Sequence, residues 1–181
     1  MRKNALKIAT FLVIIASLGA CTNDLRDVMA LPKNELSPSQ VGDSVTMLYV
    51  DSAQLKVVVK ANRMLVFDRH VKEPLTILPK GVFVTFFDEN EKVSATLKAN
   101  YGVRYDQRHR MEAKYAVEVV NRKGEKLETE RLVWDEGSKK IHTDAYVKIT
   151  RGKSVIEGTG MVSNQDFTQY EIKHVIATWQ L

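Results

Sequence analysis

A short module recurs along the chain, and this repeat constrains the fold more than any other feature. Residues 58–68 read V-V-K-A-N-R-M-L-V-F-D, and residues 96–106, 38 positions later, read T-L-K-A-N-Y-G-V-R-Y-D. Looser copies follow at residues 127–135 (L-E-T-E-R-L-V-W-D) and 141–149 (I-H-T-D-A-Y-V-K-I). A unit this short cannot bury its apolar face alone, so the copies must stack or curl into a continuous sheet.

Apolar and polar residues alternate through most of the chain. Leu97 and Ala99 fall on one face of such a stretch and Lys98 on the other, and the same period of two runs through residues 113–119 and 141–149. Short turns rich in Asn, Asp and Gly separate these runs, and no long stretch has a helical period. The pattern predicts an all-β domain built as a meander, a sandwich or a barrel.

The N-terminus predicts a different kind of segment. Arg2, Lys3 and Lys7 precede an apolar run over residues 8–18, which ends at L-G-A-C with Cys21. This is the organisation of a secretory signal peptide, and the run is shorter than the roughly 20 apolar residues that cross a bilayer. The residues before Cys21 resemble a bacterial lipobox, which implies cleavage before this cysteine and lipidation of its sulfur. The alternative is an ordinary cleaved signal peptide that leaves a free thiol, since the chain has only 1 cysteine.

We therefore divide the chain into a lipoprotein signal peptide (residues 1–20), a lipidated tether (residues 21–43) and a β domain (residues 44–181). The tether is rich in proline and small polar residues and lacks a periodic apolar pattern. Loss of three basic residues with the signal peptide lowers the formal charge from +5 to +2, with 24 Lys and Arg against 22 Asp and Glu. Because these charges alternate in sign, the sequence predicts no nucleic-acid partner.

No arrangement of residues in the sequence indicates catalysis or metal binding. The 4 histidines lie far apart, and no metal-ligand spacing, nucleophile motif or phosphate-binding glycine loop occurs. We predict no catalytic residues, no metal site and no cofactor. Gly158 and Gly160 flank Thr159 in a predicted strand, and they indicate a bulge or a close approach of another backbone or a ligand.

The faces predicted to point inward are bulky and apolar. The predicted inner-face residues are Val59, Phe67, Phe86, Leu97, Ala99, Tyr105, Tyr115, Val117, Ile141 and Val147. They form either the packed core of a closed sheet or the wall of an apolar trough in a sheet that curls without closing. A trough of this kind is suited to acyl chains.

Five motifs follow one another in order along the chain. They are G-V-F-V-T-F-F-D at 81–88, L-K-A-N at 97–100, G-E-K-L-E-T-E-R-L-V-W-D at 124–135, K-K-I-H-T-D at 139–144 and G-T-G-M-V-S-N-Q-D-F at 158–167. In order and spacing, residues 49–172 resemble the LptC family, the periplasmic component of the lipopolysaccharide export machinery, in a lipid-anchored form.

This resemblance implies an open antiparallel β-jellyroll, anchored on the periplasmic side of the inner membrane. It implies that the protein receives lipopolysaccharide from a membrane ABC transporter and passes it to an LptA-like bridge protein, without being an enzyme. Open sheets offer unpaired backbone groups at both ends, where partner strands can add. We expect the last strand (residues 167–177) and the first strand (residues 45–51) to meet partners. The expected edge residues are Val45, Met47, Tyr49, Phe167, Tyr170 and Ile172.

The competing hypothesis is a structural or adhesive lipoprotein of the cell envelope. In that case the inner face would be a closed core with no room for a ligand.

Overall fold

The structure is a computed structural model that describes residues 37–69, 71–165 and 167–180. The predicted signal peptide, Cys21 and most of the predicted tether lie outside these residues. Every element in the described part of the chain is a β-strand, which confirms the all-β prediction. The strands are β1 Gln40–Asp51, β2 Gln54–Phe67, β3 Leu75–Leu78, β4 Val82–Phe87, β5 Val93–Ala99, β6 Tyr101–Tyr105, β7 Arg110–Asn121, β8 Lys126–Asp135, β9 Lys140–Arg151, β10 Ser154–Asn164 and β11 Tyr170–Gln180.

These strands form one antiparallel meander. β3 and β4 both pair with β2, one on each side of residues 79–81, so together they follow the path of a single long strand. β5 and β6 pair with the two ends of β7 in the same way, on either side of Asn100. From β7 to β11 each strand pairs with the next along the chain. Neighbours in sequence are therefore neighbours in the sheet, as short turns favour.

A line of irregularities, which we call the crease, crosses the sheet. It consists of the breaks at residues 79–81 and Asn100, followed by register shifts at Lys114/Val117 in β7, Thr129/Val133 in β8 and Thr159/Met161 in β10. Backbone hydrogen bonds join its members, with Gly81 N donating to Asn100 O (2.9 Å) and Asn100 N donating to Tyr115 O (3.0 Å). Bulges bend strands and increase their twist, so an aligned row of them folds the whole sheet.

Folding along the crease brings the two halves of the sheet face to face. The Tyr49 ring in β1 meets the Trp134 ring in β8 edge to face, with 5.5 Å between centroids. The Phe86 ring in β4 meets the Phe167 ring, which precedes β11, at 5.8 Å. The core lies between the halves, and its most buried side chains include Val117, Ile141 and Val147. The arrangement is a jellyroll-like double layer made from one sheet.

The repeat noted in the sequence marks where strands meet the crease. The two K-A-N copies place Asn62 and Asn100 there, while the preceding Ala61 and Ala99 are 6% exposed in the core. Asn62 Nδ2 donates to Lys80 O (3.1 Å) across the break between β3 and β4. In the looser copies, the last inward-facing residue before the crease is Thr129 in β8 or Thr143 in β9. Both lie next to register shifts. Each copy therefore supplies two inward-facing residues, followed by a polar residue at the crease.

Both terminal strands leave one edge without a partner strand among the described residues. β1 pairs only with β2, and β11 pairs only with β10. Both carry exposed apolar side chains, namely Val41, Leu48 and Val50 on β1 and Val175, Ile176 and Trp179 on β11. Free backbone groups beside exposed apolar side chains are suited to pairing with another strand. Within the described ranges, no helix has the length and apolar content to cross a membrane.

Candidate functional site: an apolar cavity between the two layers

A cavity of about 180 Å³ lies between the two layers at the end where β1 covers β8. One wall includes Tyr49, Val59 and Phe86, and the opposite wall includes Trp134 and Ile141. The volume of the cavity lies below the roughly 300–1,000 Å³ of typical small-molecule sites. In this conformation it can hold only part of an acyl chain.

Four predicted inner-face residues line this cavity, namely Val59, Phe86, Leu97 and Ile141. The others that are buried, Ala99, Val117 and Val147, belong to the surrounding core. Alternation places them there because each strand segment keeps its period of two up to the crease. The structure thus places these seven residues in the core, and whether they contact lipid stays a prediction.

Tyr115 is not an inner-face residue. It is 59% exposed and, together with Ala116, has a left-handed backbone (φ 65° and 51°) at the register shift in β7. Two residues are absorbed in the bulge there, so Val117 returns to the inner face while Tyr115 stays outside. The Tyr115 ring rests edge to face on the Tyr101 ring, with 6.1 Å between centroids.

Phe67 and Tyr105 lie on the outer face, which also corrects the prediction. Both pair in register with Leu75, and directly paired residues share a face. The next row in the same strands, Thr76 with Arg104, lines the cavity. β2 and the path formed by β5 and β6 change parity at the crease, so the alternation that places Val59 and Leu97 inside places these two aromatic residues outside. A slip of one residue reverses every side chain beyond it.

The predicted edge residues divide into two groups. Val45, Met47 and Tyr49 lie on the unpaired strand β1, but their side chains pack against the core. Tyr170 and Ile172 likewise lie on β11 and pack inward. Phe167 lies before β11 rather than in it and is 5% exposed, so it is a core residue and not an edge residue. Its carbonyl oxygen accepts a hydrogen bond from Asn121 Nδ2 (3.2 Å).

At Gly158 the backbone of a neighbouring strand comes close. A Cβ atom at this position would lie 2.5 Å from His174 O and 2.6 Å from Ile172 Cγ2, both on β11. Gly160 adopts φ +73° beside the Lys173 side chain and opposite the register shift between β9 and β10. Both glycines therefore allow β11 to pack closely on β10.

Four cavity residues that the sequence did not indicate form a row across the second layer together with the predicted Ile141. Thr76, Arg104, Met111, Trp134 and Ile141 pair in register across five strands. Arg104 is held from outside the cavity, since its Nε donates to Asp106 Oδ1 (2.9 Å) and its Nη2 lies 3.4 Å from Glu136 Oε1. Trp134 lies near the end of the third repeat copy. An aromatic residue at that position was the only sequence feature that could have indicated its place in the cavity.

A seam closes the cavity where β1 meets the turn between β8 and β9. Tyr49 covers Trp134 there, and Lys139 Nζ donates to Asp51 Oδ2 (3.1 Å) at the surface. An exposed ion pair of this kind contributes little to stability. The seam is thus closed by one aromatic contact and one weak surface contact, without backbone pairing between β1 and β8 among the described pairings.

The outer face of the second layer carries a compact charge cluster. Glu112 is 7% exposed and contacts Arg110 Nη2 (2.9 Å), Lys114 Nζ (3.0 Å) and Arg131 Nη2 (3.1 Å). Burial opposes ionisation of this carboxyl, but the hydrogen bonds from Arg131 and Lys114 outweigh it and lower the pKa of Glu112. The cluster ties β7 to β8 and compensates the charge of Glu112, which also borders the cavity.

A wider groove of about 580 Å³ lies at the crease, lined in part by Lys60, Phe83 and Lys98. It is more open and more polar than the cavity between the layers. Its register places Phe83 between the two lysines. An acyl chain gains most where water is excluded on both sides, which favours the enclosed cavity as the candidate site.

The described residues contain no group of three or more His, Cys, Asp or Glu side chains arranged to hold a metal ion. An all-β double layer with an apolar cavity and two unpaired edge strands defines the protein as jellyroll-like. The LptC-related lipopolysaccharide-assembly family matches residues 9–178, nearly the whole chain, and the protein belongs to that family. It is therefore a component of lipopolysaccharide transport in the export machinery. No curated protein matches the chain.

Proposed function

We propose that this protein is the periplasmic lipopolysaccharide-binding component of the export machinery, that it receives lipopolysaccharide from a membrane ABC transporter, and that it passes it to the next jellyroll, an LptA-like bridge protein. The observation that supports this role is the apolar cavity between the layers, closed at a seam that lacks backbone pairing. Acyl chains enter between the layers when the seam opens. Energy for the transfer comes from the transporter, since the mechanism needs no catalytic residue here.

The unpaired edges support the proposed contacts with partners. β11 offers its free edge to the bridge protein, and β1 offers its free edge to the transporter. A partner strand that adds to either edge satisfies backbone groups that otherwise bond to water, and it covers exposed apolar side chains such as Ile176 or Leu48. Cys21, once lipidated, holds the tether and the β domain at the periplasmic surface of the inner membrane.

Photo-crosslinking in cells tests the binding site. A photoreactive amino acid at Ile141, which lines the cavity, is expected to capture lipopolysaccharide. The matched control is Tyr115, which is 59% exposed on the outside of the sheet and is expected to capture none. Equal capture at both positions, or capture at Tyr115 alone, contradicts a site between the layers.

A structural or adhesive lipoprotein is the second candidate, and the small volume of the cavity, about 180 Å³, favours it. A closed core takes up no acyl chain, whereas the proposed site opens. Residues 21–181 with Cys21→Ser contain every described strand and lack the predicted lipid. Titration of this protein with a fluorescent fatty acid separates the two candidates, because saturable uptake excludes a permanently closed core.

A further inference from the structure

The indole N–H of Trp134 has no hydrogen-bond partner within the described part of the chain. The residue is 7% exposed and lines the cavity between the layers. A buried donor without an acceptor is unfavourable, because the hydrogen bond it makes to water in the unfolded chain is not replaced. Phenylalanine would fill much of the same space without this cost. The N–H group is therefore the part of the side chain that requires an explanation.

The neighbours of Trp134 show what kind of acceptor the cavity lacks. In the same cross-strand row, Arg104 already contacts Asp106 and Glu136, so its charge is compensated. Glu112 also borders the cavity, and its charge is compensated by Arg110, Lys114 and Arg131. Most of the remaining wall is apolar, with Val59, Leu97 and Ile141 among its members. A phosphate or carboxylate would lose its hydration in such surroundings at high cost. A neutral carbonyl oxygen loses much less and can accept one hydrogen bond.

We propose that Trp134 is a specificity-determining residue whose indole N–H donates a hydrogen bond to the carbonyl oxygen of an ester- or amide-linked acyl chain in the cavity. This inference rests on the proposed function and adds a chemical criterion to it. The cavity then distinguishes an acyl chain from an alkyl chain of the same length. Hydrocarbon burial supplies most of the affinity, and the indole N–H recognises the linkage.

A matched pair of lipids tests the proposal on residues 21–181 with Cys21→Ser. One probe is a lysophosphatidylcholine with an ester-linked tetradecanoyl chain, and the other carries an ether-linked tetradecyl chain and so lacks the carbonyl oxygen. Both are used below their micelle concentrations. The protein is expected to bind the ester about three- to tenfold more tightly than the ether, which is the range of a single net hydrogen bond. Trp134→Phe is expected to bind both lipids with the affinity that the parent protein has for the ether.

The outcomes separate the two proposals. Binding of both lipids without preference by the parent protein overturns the role of Trp134 and leaves the lipid-binding function standing. A preference that survives in Trp134→Phe also overturns it. Binding of neither lipid contradicts the proposed function itself, and the inference falls with it.

A spectroscopic measurement keeps the test independent of how Trp134→Phe folds. The chain has 2 tryptophans, and the other, Trp179, is 40% exposed on β11. Trp179→Phe therefore leaves the single indole N–H signal of Trp134 in a nitrogen-15 correlation spectrum. The ester is expected to move this proton signal downfield, as hydrogen bonding does, and the ether is not. An unchanged signal at saturating ester, or equal shifts with both lipids, contradicts the proposal.

Discussion

The two terminal strands both leave one edge unpaired, yet they are joined to the domain in different ways. β1 places Met47 and Tyr49 over the cavity, where Tyr49 meets Trp134 of the opposite layer. β11 contributes no residue to the cavity wall, and residues 173–176 are all exposed along it. The cavity therefore depends on where β1 lies and is independent of most of β11.

Because of this difference, addition of a partner strand and opening of the cavity occur at different edges of the sheet. A partner strand can add to β11 without moving any residue that lines the cavity. Displacement of β1 removes Tyr49 from Trp134 and opens the seam. In the proposed transfer, entry of lipid is thus linked to β1, while the contact at β11 is free to form and dissociate.

Phe167 is expected to give the largest effect, because it ties the segment before β11 to the core. Phe167→Ala removes a ring that is 5% exposed and packs on Phe86. Loss of a buried phenylalanine costs roughly 3–5 kcal/mol, so the urea midpoint should fall sharply. Ile176→Ala, at a position that is 64% exposed, is the control and should change the free energy of unfolding by less than about 0.5 kcal/mol. Similar losses for the two variants would show that β11 itself, rather than Phe167, holds this end. Deletion from residue 167 onward would therefore damage the core as well as the edge.

Substitution of Tyr49 tests the seam at β1, the other terminal strand. Tyr49→Ala removes the edge-to-face contact with Trp134 and part of the cavity roof, and we expect a loss of about 2 kcal/mol in the free energy of unfolding. Uptake of a fluorescent fatty acid should become faster, since the seam is less well closed. Val50→Ala changes the residue after Tyr49, which is 56% exposed and outside the cavity lining, and should alter neither quantity. Unchanged uptake in Tyr49→Ala would show that the seam is not the entrance.

The sequence predicted which residues of β2 and β5 point inward on one side of the crease, but not which residues of β2 and β6 do so on the other side. Alternation within one strand segment correctly predicted that Val59 and Leu97 point inward. Extending the same alternation to Phe67 and Tyr105 failed, because the crease reverses the parity of β2 and of the path formed by β5 and β6. The crease depends on the alignment of bulges in neighbouring strands, and no single strand carries that information. Trp134 was missed for the same reason, since its place in the cavity depends on pairing with Met111 and on contact with Tyr49.

Gly158 allows β11 to be loosened without touching β1. Gly158→Ala would place a Cβ atom 2.5 Å from His174 O, so the backbone of β11 must shift. Overpacking of this kind costs about 1–3 kcal/mol, and hydrogen exchange should rise along β11 while the residues over the cavity keep their protection. Gly137→Ala is the matched control, because its Cβ atom would meet only Asp135 Oδ1 at an ordinary 3.5 Å. Increased exchange in β1 as well would show that the two edges are coupled.

The smallest effects are expected from the surface ion pairs that hold each edge. Lys139 donates to Asp51 on β1, and Lys173 on β11 donates to Asp144 on β9 (3.0 Å). These lysines lower the pKa of each carboxyl below 3.8, chiefly through the hydrogen bond. Because the folded-state pKa is lowered, each pair stabilises the fold above pH 3.8 and loses this effect as the pH falls through the folded-state value.

We expect Lys139→Met to leave the urea midpoint nearly unchanged at neutral pH, as is usual for exposed pairs, while it accelerates fatty-acid uptake slightly. Acidification of the parent protein through the lowered folded-state pKa of Asp51 should reproduce that acceleration, and Lys139→Met should show a smaller further change on acidification. Lys173→Met should affect exchange in β11 and leave uptake unaltered at every pH. Faster uptake in Lys173→Met would mean that β11 also controls access to the cavity, and the distinction between the two edges would fail.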